Sequence, residues 1–246
     1  MKKRGAAIKV DFIGFPGSGK TAVSEGLAQE LCTGKRTVRT RKFLYYVSGG
    51  TVKSRKIHRR RVDIPGFYLR KFMMRDVISR LEDSAENVRK NKALSPIVNV
   101  ARYVRDEIRY SITDHKYSYI VLDTSPSHLL LPCLFSGGTL SGEDEMTGIL
   151  GQAMVRVPDI VVNMTAPFDV ITSRISLRSR SGDKYDSSDK DDLKVMFDEY
   201  VSTSDKLLKV YKNLHNTRII TPDNSSSIKA IVGFLSNAII SVPSVT

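Results

Sequence analysis

The sequence predicts an α/β fold in which a parallel β-sheet is covered by helices on both faces. Three observations lead there. Short apolar runs rich in β-branched residues alternate with longer stretches of helical periodicity along the chain. The first of these runs passes directly into a Gly-rich segment, Gly14 to Thr21, that opens a helix. Two further runs close on polar residues, Asp123 and Asn163, where the ligand-facing carboxyl ends of strands would lie. At 246 residues the chain can bury one sizeable core, so a single domain spanning 1–246 is expected.

In order, Ala6 to Ile13 is a short strand with Ile8, Val10 and Ile13, and Thr21 to Cys32 is a helix carrying Val23, Leu27, Ala28 and Leu31, with Gly34 placed to stop it. Thr37 to Val47 reads as one second strand whose first half is basic. Leu69, Phe72, Met73, Val77 and Leu81 mark an amphipathic helix, and Ile97 to Ile112 another, capped by Ser95 with Pro96 in its first turn. Tyr119 to Asp123 and Asp159 to Asn163 read as central strands, with a helix around Met146 to Ala153 between them. A helix from Phe168 to Ile175 runs into the polar stretch Arg178 to Asp192, and a long helical stripe from Leu193 to Leu214 follows. Arg218 to Thr221 is the last strand, and Ile228 to Ile239 line a closing helix.

Lys and Arg number 39 against 26 acids, a formal net charge of +13 that favours anionic partners. Eleven of those cations, and no acid, lie between Lys35 and Arg61. Cys32 and Cys133 are far apart, which fits neither a disulfide framework nor a cysteine metal site and suits a reducing, cytoplasmic setting. The basic start Met1 to Arg4 leads into a strand broken by Lys9 and Asp11 rather than a signal-peptide core, and no apolar stretch approaches the ~20 residues of a membrane helix.

Gly14-Phe15-Pro16-Gly17-Ser18-Gly19-Lys20-Thr21 fits the phosphate-binding loop pattern in full. Gly14, Gly17, Ser18 and Gly19 let the backbone curl so that successive amides point at phosphate oxygens. Lys20 reaches the β and γ phosphates, and Thr21 supplies a magnesium ligand. The expected ligand is therefore a nucleoside triphosphate with Mg²⁺. Asp123, at a strand end, is the candidate for positioning magnesium or an acceptor hydroxyl; a turn-forming Asp-Thr-Ser-Pro is the alternative. Thr124 stands where mechanical ATPases carry a water-polarising glutamate. Asp63-Ile64-Pro65-Gly66 and Asn91-Lys92-Ala93-Leu94 are incomplete versions of guanine-nucleotide switch motifs, and a guanine switch is disfavoured. Arg174 and Arg178 share a helical face, with Arg180 at its exit; they can converge on phosphates or remain a solvated face.

Taken together, Gly14 to Thr21, the strand-end Asp123-Thr124-Ser125-Pro126, the arginine-bearing stretch from Arg174 to Asp186 before a long helix, and Thr221 to Ser225 before a short one resemble the thymidylate-kinase-like branch of the nucleoside monophosphate kinases. The resemblance implies a five-stranded parallel sheet in the order 2-3-1-4-5, ATP as donor and a mobile lid over 178–192. Lys20, Asp123, Arg178 and Arg180 would be catalytic, Arg174 would hold the donor, and Thr21 and Asp123 the metal. Two departures stand out: Thr124 replaces the arginine after the strand-end aspartate, and no Arg-Glu-Pro-Gly segment follows the second strand. The basic segment 35–61 falls where such kinases build their acceptor pocket. It suits a small acceptor that already bears phosphate, a nucleotide being one candidate. A nucleic-acid-binding ATPase or interaction module using 35–61, with Phe43, Tyr45 and Tyr46 for stacking, is the alternative, and a solvated loop the bland reading. A second copy of the chain, as a homodimer, is also among the candidate partners.

Overall fold

The computed structural model describes residues 7–57, 116–123, 157–177, 188–215 and 217–241. These form β1 (Ile8–Ile13), α1 (Lys20–Leu31), β2 (Val38–Thr40), β3 (Phe43–Ser48), β4 (Thr51–Lys56), β5 (Tyr119–Leu122), β6 (Ile160–Asn163), α2 (Phe168–Ser176), α3 (Lys190–His215), β7 (Arg218–Ile220) and α4 (Ile228–Ile240). The helices expected over 69–81, 97–112 and 146–153 lie outside the described residues. So do both incomplete switch motifs, Arg178, Arg180 and most of the expected lid.

One seven-stranded sheet runs β4-β3-β2-β5-β1-β6-β7. Its parallel part, β2-β5-β1-β6-β7, has the expected 2-3-1-4-5 order when those five strands are numbered along the chain. The other two strands correct the sequence reading. Thr37 to Val47 is not one strand, because the Thr40 hydroxyl accepts from the amides of Lys42 (3.3 Å) and Phe43 (2.9 Å) and reverses the chain. β3 therefore pairs antiparallel with β2, and β4 with β3. The β3–β4 connection is a two-residue turn at Gly49 and Gly50, whose φ of 61° and 73° meet the type I′ requirement for two left-handed residues.

Alternation across the central strands fills both faces, as a covered parallel sheet requires. Val10, Phe12, Val121 and Val162 join Leu27 and Leu31 of α1 and Leu235 and Ile239 of α4 in one core. The two helices approach closely at Gly26, where a Cβ would lie 3.0 Å from Val232. Ile120 and Leu122 face the other way with Ala7. Lys9 and Asp11, which break the apolar pattern of β1, are both buried, 4.0 Å apart, rather than turned to solvent. α3 starts at Lys190, earlier than the apolar stripe suggests, because Asp189 accepts from the Asp192 amide at 2.8 Å and caps it. Ser227 caps α4 in the same way through Ala230. No helix among the described residues is long and apolar enough to cross a membrane.

Candidate functional site

β1 ends at Ile13 and the chain curls into α1 through glycines that tolerate no replacement. A Cβ on Gly14 (φ 148°) would sit 2.4 Å from the Met164 carbonyl oxygen, and Gly19, at φ 90°, is the helix N-cap. No side chain caps α1, so the amides of its first turn and the positive end of its dipole are available to an anion. The Lys20 ammonium lies back across the loop, donating to the carbonyls of Gly14 and Phe15, the latter at 3.0 Å. The Ser18 side chain is buried, and its amide donates to the Phe15 carbonyl at 3.0 Å.

The fold brings together residues that the sequence separates widely. Thr21 Oγ1 donates to Asp123 Oδ2 at 3.3 Å across 102 positions, because β5 lies beside β1 with both carboxyl ends at one edge. These two hard oxygen donors fit magnesium, which takes one or two protein oxygens and leaves its other positions to water and phosphate. No trio of His, Cys, Asp or Glu among the described residues offers a metal cage instead. Arg174, on α2, donates from Nη1 to the Gly17 carbonyl at 3.3 Å.

Two side chains that sequence reasoning did not single out also grip the loop. The Gly14 amide donates to the Tyr200 hydroxyl of α3 at 2.8 Å, and the Tyr200 ring packs edge-on against Phe15, with centroids 5.5 Å apart. Phe197 packs on Phe15 in the same manner at 5.4 Å. Helical periodicity marks Tyr200 as a core residue but carries no sign of its target. Asn224, in the Thr221 to Ser225 loop, donates from Nδ2 to the carbonyls of Ser18 (3.1 Å) and Thr165 (2.7 Å). Beside it, hydrogen bonds from the Ser225 hydroxyl and amide hold the Asp223 carboxyl below the usual carboxylate range.

Asp123 also lines a small open cleft with Ser24, Glu25, Thr40, Arg41 and Lys42. The turn at Thr40 sets Arg41 and Lys42 at the carboxyl end of β2, and Thr40 is in register with Val121 of β5. Of the remaining described cations of 35–61, Lys35 and Arg36 precede β2, Arg39 is buried on β2 with Nη1 donating to the Tyr117 hydroxyl at 3.3 Å, and Lys53, Arg55 and Lys56 lie on β4.

The sheet order, the glycine loop between β1 and α1, and the pairing of Thr21 with Asp123 give this chain the α/β P-loop kinase fold. Among solved structures, it is similar over 96% of its length to deoxyadenosine kinase from M. mycoides with the products dCMP and a flexible dCDP bound, covering 100% of that chain at 13% identity and a TM-score of 0.55. The same enzyme with bound dATP matches over 95% of this chain and 100% of its own, at 13% identity and a TM-score of 0.52. At that identity the shared property is the fold, and it does not single out the thymidylate branch. No protein-family model matches the chain, and no curated protein does.

Proposed function

We propose that this protein is an ATP-dependent kinase that transfers the γ-phosphate to a nucleotide or similar phosphorylated small acceptor. The observation that carries the reading is the meeting of Thr21 and Asp123, 3.3 Å apart, beside a cleft walled by Arg41 and Lys42. The loop amides and Lys20 hold the donor phosphates, and Arg174 braces the loop from the donor side. Thr21 and Asp123 are the residues that would hold magnesium, which supplies charge neutralisation between the β and γ oxygens when bound. A phosphate acceptor presents an oxygen that is already anionic. The protein's task is then to overcome repulsion between two anions rather than to remove a proton, and Arg41 and Lys42 are suited to that. Arg41 and Lys42, facing Asp123 across that cleft, are the reason to favour a phosphorylated acceptor over a neutral nucleoside. Arg178 and Arg180 are proposed to stabilise the transferring group from the lid. The bound dATP and dCMP of the similar structures support a nucleotide-sized site.

The test is incubation with γ-labelled ATP and a panel of nucleosides, nucleotides and phosphorylated metabolites. Label is expected on a phosphorylated acceptor. Label on a neutral nucleoside alone would overturn the acceptor assignment, and release of free phosphate with no labelled acceptor would overturn the kinase reading.

A further inference from the structure

The excess charge of this chain resides in one segment. Of the 39 basic residues, 11 lie between Lys35 and Arg61, and the other 28 are nearly balanced by the 26 acids. The fold sets five of its described cations in two places. Arg41 and Lys42 line the cleft beside Asp123. Lys53, Arg55 and Lys56 lie on β4, the last strand of the sheet, three strands from β5. Three inter-strand spacings are about 14 Å, so a small acceptor seated at Asp123 does not reach them.

All six residues of β4 are exposed. Cross-strand register puts Tyr46 opposite Lys53 and Leu44 opposite Arg55, so Lys53 and Arg55 share a face with the partly exposed Tyr46. Lys56 lies opposite Phe43, on the other face of β4, at the strand end where the Ile57 amide donates to the Lys42 carbonyl at 2.8 Å. Cations therefore run from the cleft to the sheet edge. Among the described residues, no acid forms an ion pair with Lys53, Arg55 or Lys56.

We propose that β4 and the adjoining face of β3 bind single-stranded nucleic acid, with phosphates on Lys53 and Arg55 and a base on Tyr46. Charge complementarity selects the occupant. A row of cations along an extended strand meets a chain whose charge also repeats along its length, and each contact releases condensed counterions. Tyr46 adds a stacking surface that any base can use. A second copy of this chain paired edge to edge would set Lys53, Arg55 and Lys56 against one another, which disfavours self-association through β4. This surface is independent of the transfer reaction, so its test reads binding alone.

The experiment is fluorescence anisotropy of labelled single-stranded RNA, single-stranded DNA and duplex DNA with the full chain across a salt series. Single strands should bind with Kd of about 10⁻⁴ to 10⁻⁶ M at physiological salt. The double variant Lys53→Glu/Arg55→Glu should bind at least about tenfold more weakly, with the salt slope reduced by about 1.4, two lost contacts at about 0.7 each. Tyr46→Ala should weaken single-strand binding about fivefold or more and duplex binding less. Because both altered charges are exposed, melting should confirm a folded protein; Lys53→Gln/Arg55→Gln serves should the glutamate variant not fold. Three results would overturn the proposal: no binding at about 10⁻⁴ M, equal binding by the charge variants, or charge-dependent binding to phosphatidylserine vesicles in the absence of nucleic-acid binding. The last would assign the surface to membranes, and equal binding by the charge variants would leave β4 as a guarded sheet edge.

Discussion

Replacing Tyr200 by phenylalanine removes one oxygen and keeps the ring. That oxygen accepts the Gly14 amide at 2.8 Å in a buried setting, and Tyr200 is only 6% exposed. The edge-on contact with Phe15 survives the substitution, so packing changes little. What remains is a buried N–H without an acceptor, a loss of about 1–3 kcal/mol. For a chain of this length, where ~1 kcal/mol moves Tm by about 2–4 °C, the midpoint should fall by about 2–12 °C. Gly14 is also the entry to the phosphate loop and is wedged under the Met164 carbonyl, so freeing its amide should shift the cradle. Misplacement of reacting groups by ~1 Å can cost about a hundredfold in rate, and a smaller shift here should lower kcat by about tenfold, with ATP affinity less affected. Thermal melting, direct ATP binding and steady-state transfer assays separate these effects, and hydrogen exchange at Gly14 should accelerate. An unchanged midpoint together with unchanged exchange at Gly14 would show that Tyr200 does not hold the loop. An unchanged kcat beside a lowered midpoint would confine the bond to stability.

Further outcomes follow from the site and its surroundings. Lys20→Ala should abolish transfer and leave the melting midpoint nearly intact, because its ammonium donates to the carbonyls of the phosphate loop itself; transfer at the unaltered rate would refute the reading of the loop. Asp123→Asn should lower magnesium-dependent turnover by about a hundredfold, the scale of removing one preorganised electrostatic partner, and weaken nucleotide binding less. Equal losses in rate and binding would make Asp123 structural. Arg178→Ala and Arg180→Ala should each lower turnover about a hundredfold with modest change in ATP affinity, whereas Arg174→Ala, which loses the Gly17 contact, should act more on donor binding. Unchanged turnover in both lid variants would remove the lid from the mechanism. Burial pushes the Cys32 thiol above its ordinary range, so at neutral pH it is almost wholly protonated; mass mapping after mild alkylation should find Cys32 unlabelled until the protein is unfolded.

Much of this architecture was legible from periodicity and punctuation. The loop from Gly14 to Thr21 announces itself because only glycine accepts the backbone conformations and close approaches required there. Short apolar runs locate β1, β5, β6 and β7, since strands buried on both faces need little beyond apolar side chains. The split between β2 and β3 was hidden: it depends on how a single hydroxyl, Thr40, satisfies nearby amides, and that competition leaves no periodic trace. The burial of Lys9 and Asp11 within β1 was likewise not legible, because residue type alone does not say whether a charge is paired inside the sheet.

The sequence by itself determined the class of fold, the phosphate loop and the candidates Lys20, Thr21, Asp123 and Arg174, because each follows from local chemistry within a few residues. Packing between distant elements set the meeting of Thr21 with Asp123, the hold of Tyr200 and Asn224 on the loop, and the placing of Arg41 and Lys42 in a cleft while Lys53 and Arg55 lie out on β4. Those facts rest on strand order and on packing between elements as much as 206 positions apart, and such long-range pairing is set by how whole faces bury together rather than by any local run of residues.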